Sequence, residues 1–171
     1  ALTYNSGIRS RFTGTENGAP VTFNVDFPES VNLDFQTGIA ANTLLTGSVR
    51  YAGWNGFNLT TSTPTQFVNF TGDTYTYSLG LGRRITDSFA MSASIGYEAP
   101  GNTPSSTALA PTTGLTSLTV GASYTMNNLE ISGGVTVGRP GDQSIVLAGP
   151  TIVPFNNNTV VGAGIRIGMN F

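Results

Sequence analysis

The sequence predicts an all-β protein, an antiparallel up-and-down transmembrane barrel of about eight strands with short turns at one end and long loops at the other. Three observations predict it. Eight segments alternate apolar and polar residues with period two, each about as long as a tilted crossing of a bilayer. Charged residues are 9% of the chain, against roughly 25% in a typical soluble domain. The connections between segments alternate between short and long.

The segments, in chain order, are 2–14, 30–40, 43–54, 74–84, 88–98, 116–126, 128–138 and 159–171. The first sets Leu2, Tyr4, Ile8 and Phe12 against Thr3, Asn5, Arg9 and Arg11. The second opposes Val31, Leu33, Phe35 and Ile39 to Asn32, Asp34 and Gln36, and the third opposes Leu45, Val49 and Tyr51 to Thr46, Ser48 and Arg50. In the fourth, Tyr75, Tyr77, Leu79 and Leu81 face away from Thr76, Ser78, Gly80 and Arg84. The fifth is the clearest, with Phe89, Met91, Ala93, Ile95 and Tyr97 opposite Ser92, Ser94, Gly96 and Glu98. The sixth, seventh and eighth repeat the pattern, with Leu118 and Val120, then Ile131 and Val135, then Ile165 and Ile167 on the apolar side. The segment 21–27 also alternates and reads as a strand extension or hairpin within the first long loop.

Short turns fall near 41–42, 85–87 and 127; long connections rich in Pro, Gly, Thr and Asn fall at 15–29, 55–73, 99–115 and 139–157. In an outer-membrane barrel the long loops are extracellular, and an even strand number puts both termini on the periplasmic side. The whole chain, 1–171, then forms one barrel domain. A start at Ala1 without Met suits a processed mature protein, since signal peptides end at small residues, and suits a fragment equally well.

A soluble β-sandwich is the plainer reading of alternating strands. Two features oppose it. The polar faces are mostly Gly, Ser and Thr rather than the Lys and Glu of a solvated surface; there is no Lys in the chain. The apolar faces carry aromatics toward strand ends, Phe12, Tyr51, Tyr75, Tyr77 and Tyr97 at one and Phe89, Tyr124 and Phe171 at the other, as membrane girdles do.

Composition excludes several functions. The absence of His and Cys removes Ser–His and Cys–His nucleophilic centres, the usual transition-metal ligands and any disulfide framework. No enzyme and no cofactor is expected. With a net charge of −2 and scattered arginines there is no basic patch for nucleic acid.

Most charges within the spanning segments fall on the inward face: Arg9, Arg11, Asp34, Arg50, Arg84, Glu98, Glu130 and Arg166. Arg83 is the exception, at a strand end where its long side chain can snorkel. Asp34 is expected near Arg50 and Glu130 near Arg166, as ion pairs filling a narrow lumen, because eight strands enclose a space only just wide enough for side chains. Such a lumen would conduct ions and polar solutes poorly. The loops supply candidate contacts for a hydrophobic ligand: Phe57, Leu59, Phe67, Phe70, Ile152 and Phe155. Loops packing on one another explain these residues as well.

Several stretches carry a resemblance. They are Phe27-Pro28-Glu29-Ser30-Val31-Asn32-Leu33, the strand Val49-Arg50-Tyr51-Ala52-Gly53-Trp54-Asn55, the run from Tyr77 to Ser88 around Gly82-Arg83-Arg84, and the opening Leu2-Thr3-Tyr4-Asn5-Ser6. Together they resemble the FadL family of outer-membrane transporters for long-chain fatty acids and hydrocarbons. A terminal Phe171 matches the assembly signal common to outer-membrane barrels, which implies the barrel-assembly machinery as a partner. Members of the family have about twice as much chain, about fourteen strands and an N-terminal hatch; this sequence resembles their C-terminal portion. The resemblance implies an outer-membrane protein that binds or passes fatty acids or other hydrophobic molecules among outer-membrane lipids. The alternative is a small plugged barrel whose loops contact another protein, a surface layer or a neighbouring copy.

Overall fold

The structure is a computed structural model and describes residues 1–60, 66–101, 109, 112–146 and 151–169. Strands β1 (Leu2–Asn5), β4 (Ser30–Ala40), β5 (Thr43–Ala52), β8 (Thr74–Arg84), β9 (Phe89–Glu98), β10 (Thr113–Met126), β11 (Leu129–Gly141) and β14 (Val160–Met169) form one antiparallel sheet in that order. Three hairpins lie in the long connections: β2 (Ile8–Glu16) with β3 (Ala19–Phe27), β6 (Asn58–Thr60) with β7 (Gln66–Asn69), and β12 (Gln143–Val146) with β13 (Ile152–Phe155). The eight-stranded, up-and-down, all-β architecture is the one expected. The sheet is not closed: among the described residues β1 and β14 do not pair.

The short connections sit at one end, here the turn end. Asn42 and Asn127 take left-handed backbone there, which Asn tolerates better than most residues. The three hairpins form a cap at the other end. Register keeps each face pure. A plain two-residue turn after Ala40 would set Asp34 opposite Val49, mixing the faces. A bulge between Gly38 and Ala40 shifts the pairing so that Asp34 meets Ser48 and Leu33 meets Val49.

The first span departs from expectation. Rather than one strand over 2–14, the chain pairs with β4 only from Leu2 to Asn5, then turns away at Ser6–Gly7. Ile8–Glu16 pairs with Ala19–Phe27 through an Asn17–Gly18 turn with positive φ at both residues, the strongest short hairpin signal. The alternation over 21–27 therefore belongs to a hairpin. Phe12 stacks on Phe23 there, at 5.6 Å between ring centroids, and is not part of a girdle on the sheet.

Little of the molecule is core in the usual sense. Among the described residues the buried apolar side chains are Val21, Val25, Ala52 and Ile145, with Ser30 and Gln143 the buried polar ones. All lie in the hairpins of the cap or where the sheet meets it. Most of the apolar face of the sheet is exposed: Ile95, with neighbours on both sides, is 57% exposed, and Ile165 on the edge strand β14 is 82% exposed. Met169 is the last described residue, so Phe171 lies outside the described part.

Candidate functional site

The face opposite those apolar residues is mostly polar and small, with Leu44, Leu115 and Val160 as apolar exceptions. Its rows cross the sheet almost without interruption. Nearest the cap, Asn32, Arg50, Thr76 and Glu98 stand side by side. Arg50 donates to Asn32 Oδ1 at 2.8 Å, and the Thr76 hydroxyl donates to Glu98 Oε2 at 2.8 Å. One row further in, the hydroxyls of Ser48 and Ser78 are 2.8 Å apart; beyond them, those of Thr119 and Thr136 are 2.7 Å apart. These pairs satisfy hydroxyls without large side chains, so the face stays thin.

At the turn end this face bounds a cavity of about 860 Å³. It is lined from β4 and β5 round to β14, including Leu44, Arg84, Ser92, Ser123, Ser132 and Arg166. A single hollow can touch strands so far apart in the order only if the sheet curves around it. The polar face is therefore the inner wall of a trough.

The expected lumen charges divide into three groups. Arg50, Arg84, Glu98 and Arg166 stand on the inner wall, and so do Asp34 and Glu130 by register. The expected ion pairs do not form. Asp34 lies across from Ser48 and Arg50 across from Asn32; Glu130 lies across from Gly168 and Arg166 across from Ser132. Each acid is thus displaced by one pair from its expected base, and among the described residues neither makes an ion pair. Arg9 and Arg11 leave the wall altogether. They sit on the β2–β3 hairpin, where Arg9 grips Asp26 through Nε at 2.5 Å and Nη2 at 2.9 Å, while Arg11 faces Asn24. That clamp holds the Asp26 carboxyl below its usual range, first through the hydrogen bond from Arg9.

The hydrophobic loop candidates divide as well. Phe57 and Phe70 pack edge-on against Trp54, at 5.1 and 5.5 Å between centroids, and close on one another at 5.7 Å. Packing of the cap accounts for them. Leu59 is half-buried on β6 and Phe155 half-buried on β13 opposite Gln143, whereas Ile152 is exposed. Phe67 falls on β7, and its side chain lies outside the described part.

Sequence reasoning missed the acids that organise the cap rim. Asp73 accepts from the Tyr51 hydroxyl and from the Asn55 amide, and Asp142 accepts from the Asn157 amide. Glu29 accepts from the Tyr4 hydroxyl at 2.8 Å. The available signal was an acid standing just beyond a strand end, facing an aromatic or a loop amide.

No protein-family model matches the sequence, and no curated protein matches it either. Among solved structures, the crystal structure of a Pseudomonas aeruginosa FadL homologue superposes with a TM-score of 0.73 at 16% sequence identity. The match covers 97% of this chain and 46% of that one, so this chain spans about half the length of the structure it resembles.

Proposed function

We propose that this chain builds the wall of an outer-membrane passage for hydrophobic small molecules such as fatty acids, and that it acts without catalysis. The observation that carries the reading is the exposed apolar face that all eight strands of the sheet share, backed by a concave polar face, in a fold shared with a FadL homologue. In water an apolar surface of that extent drives association. In a bilayer it is solvated by acyl chains, and strands of 10 to 14 residues such as β9 and β10 are long enough to cross. In that setting the cap is extracellular, both termini are periplasmic, and the barrel-assembly machinery inserts the chain.

The trough favours passage over a plugged barrel, because no ion pair crosses its inner wall among the described residues and small side chains leave it open. Exposed Ile152 and Leu109 support the second reading, in which the cap docks another protein, a surface layer or a neighbouring copy. An exposed sheet edge is not tolerated in lipid. In the membrane β1 and β14 therefore take partners, either each other or further strands. Cysteines placed on β1 and β14 distinguish the two, since only self-closure crosslinks them within one chain.

The test is extraction and uptake. The protein leaves native membranes only with detergent, migrates differently before and after heating, and lets a fluorescent fatty acid into liposomes faster than protein-free controls. Solubility as a monomer without detergent overturns the membrane reading. Unchanged uptake by folded, inserted protein overturns passage alone.

A further inference from the structure

We infer that Arg84 and Arg166 form an oxyanion site at the turn end of the trough, which holds the acidic head of a single-tailed amphiphile with its tail directed toward the cap. The inference rests on the passage reading for the tail but not for the head. Across the wall one row runs Arg84, Ala90, Ser123, Ser132, Arg166. Two guanidinium groups thus flank three small residues, two of which carry hydroxyls. All five line the same cavity of about 860 Å³, and no Asp or Glu lines it. Neither guanidinium makes a hydrogen bond or ion pair with a described residue. Both arginines are exposed, and two unpaired cations facing one concave hollow repel each other and concentrate a field that attracts an anion. A planar carboxylate or a phosphate accepts from such forks, and serine hydroxyls complete its shell.

The adjoining row, one step toward the cap, explains where a tail lies. It runs Gly38, Leu44, Gly82, Ser92, Gly121, Gly134, Gly164. A Cβ on Gly82 or Gly164 would meet nothing within 4 Å, so packing within the chain does not require glycine there. Glycine in a strand interior weakens the strand and often marks a close approach by a ligand. Leu44 is the large apolar side chain of that row, positioned to touch a methylene chain leaving the head.

The test uses the folded full chain in detergent and three probes: dodecanoate, methyl dodecanoate and inorganic phosphate. The expected result is that dodecanoate binds, its methyl ester binds about tenfold or more weakly, and Arg84→Gln with Arg166→Gln erases that difference. Arg84→Lys with Arg166→Lys keeps the charge and retains part of the preference, which separates loss of charge from loss of fold; heat-modifiable migration confirms folding of every variant. Gly164→Val weakens dodecanoate without affecting phosphate. Equal binding of acid and ester by the unaltered protein overturns the site while leaving passage intact. Phosphate binding that the glutamine variants abolish, with no dodecanoate binding, overturns the amphiphile and the passage reading together.

Discussion

The wall and the cap use the same residue types for opposite ends. Ile165 on the wall is 82% exposed and Ile145 in the cap is 1% exposed, although both are isoleucines in antiparallel strands. The wall is held by its ladder of backbone hydrogen bonds, from Ser30 opposite Ala52 to Leu129 opposite Met169, and its apolar side chains face outward. The cap is held by small conventional cores, Val21 and Val25 beneath one hairpin, Ile145 beneath another, and the Trp54 cluster around a third. The difference teaches that, under the proposed membrane reading, burial in this chain marks the part outside the bilayer. A substitution that empties a core belongs to the cap, and one that exposes charge to acyl chains belongs to the wall.

The largest expected effect tests the cap. Ile145→Ala removes a fully buried side chain and costs the β12–β13 hairpin about 2–5 kcal/mol. Limited proteolysis should then cut within the last long connection while urea unfolding of the wall in detergent is unchanged. A matching loss in the wall would show that cap and wall unfold as one unit, and the comparison would fail.

The next tests the wall. Gly162 and Ala163 are neighbours on β14 that face opposite sides. Ala163→Arg places a charge against lipid and should cost about 2–4 kcal/mol in urea titrations of liposome-inserted protein. Gly162→Arg points into the trough, where an added Cβ meets nothing within 4 Å, and should cost much less. Equal costs would mean that the two faces share one solvent.

At the junction of the two regions sits Gly114, with φ at +66° and a would-be Cβ 2.7 Å from the Pro100 nitrogen and 2.8 Å from the Glu98 carbonyl. Gly114→Ala meets both a backbone conformation and a wall of backbone atoms, and should destabilise by about 1–3 kcal/mol. The bulge between Thr113 and Leu115 would relax, so amide exchange should quicken from Thr113 to Ser117 while the turn end of β10 stays protected.

The wall was legible and the cap was not, for physical reasons. Period-two alternation is imposed by the pleat, so the segments 30–40 and 74–84 coincide with β4 and β8. Alternation does not say which strand a segment pairs with. Tyr4, Ile8 and Phe12 keep one phase through Ser6–Gly7, so 2–14 read as a single span although Asn17–Gly18 marked a hairpin. The same blindness displaced the ion pairs. With the bulge at Gly38–Ala40, Arg50 meets Asn32 and Asp34 meets Ser48, so the acid and the base stand in adjoining rows of one face rather than opposite each other. Arg84 and Arg166 were legible as inward charges, but their shared row across five strands depends on four registers that no single segment encodes.

The smallest expected effect concerns the one ion pair among the described residues, which belongs to the cap. Arg9 holds the Asp26 carboxyl below its usual value by hydrogen bonding and charge, against a smaller opposing effect of desolvation. A carboxyl whose folded value is depressed stabilises the fold at pH values above its unfolded value, and the contribution disappears as the pH falls through the folded value. The β2–β3 hairpin should therefore be unaffected by pH in the neutral range and loosen only in acid, below the ordinary titration of a free aspartate. Both partners are well exposed, so salt should weaken the effect. Carbon-detected NMR of the Asp26 carboxyl in detergent reads it directly: Arg9→Gln should return its titration to that of a free side chain. The same variant should leave the ladder from Ser30 to Ala40 unchanged, because β2 and β3 pair with each other and not with the wall. A shift in the wall amides on acidification that Asp26→Asn removes would show that the hairpin is coupled to the sheet after all.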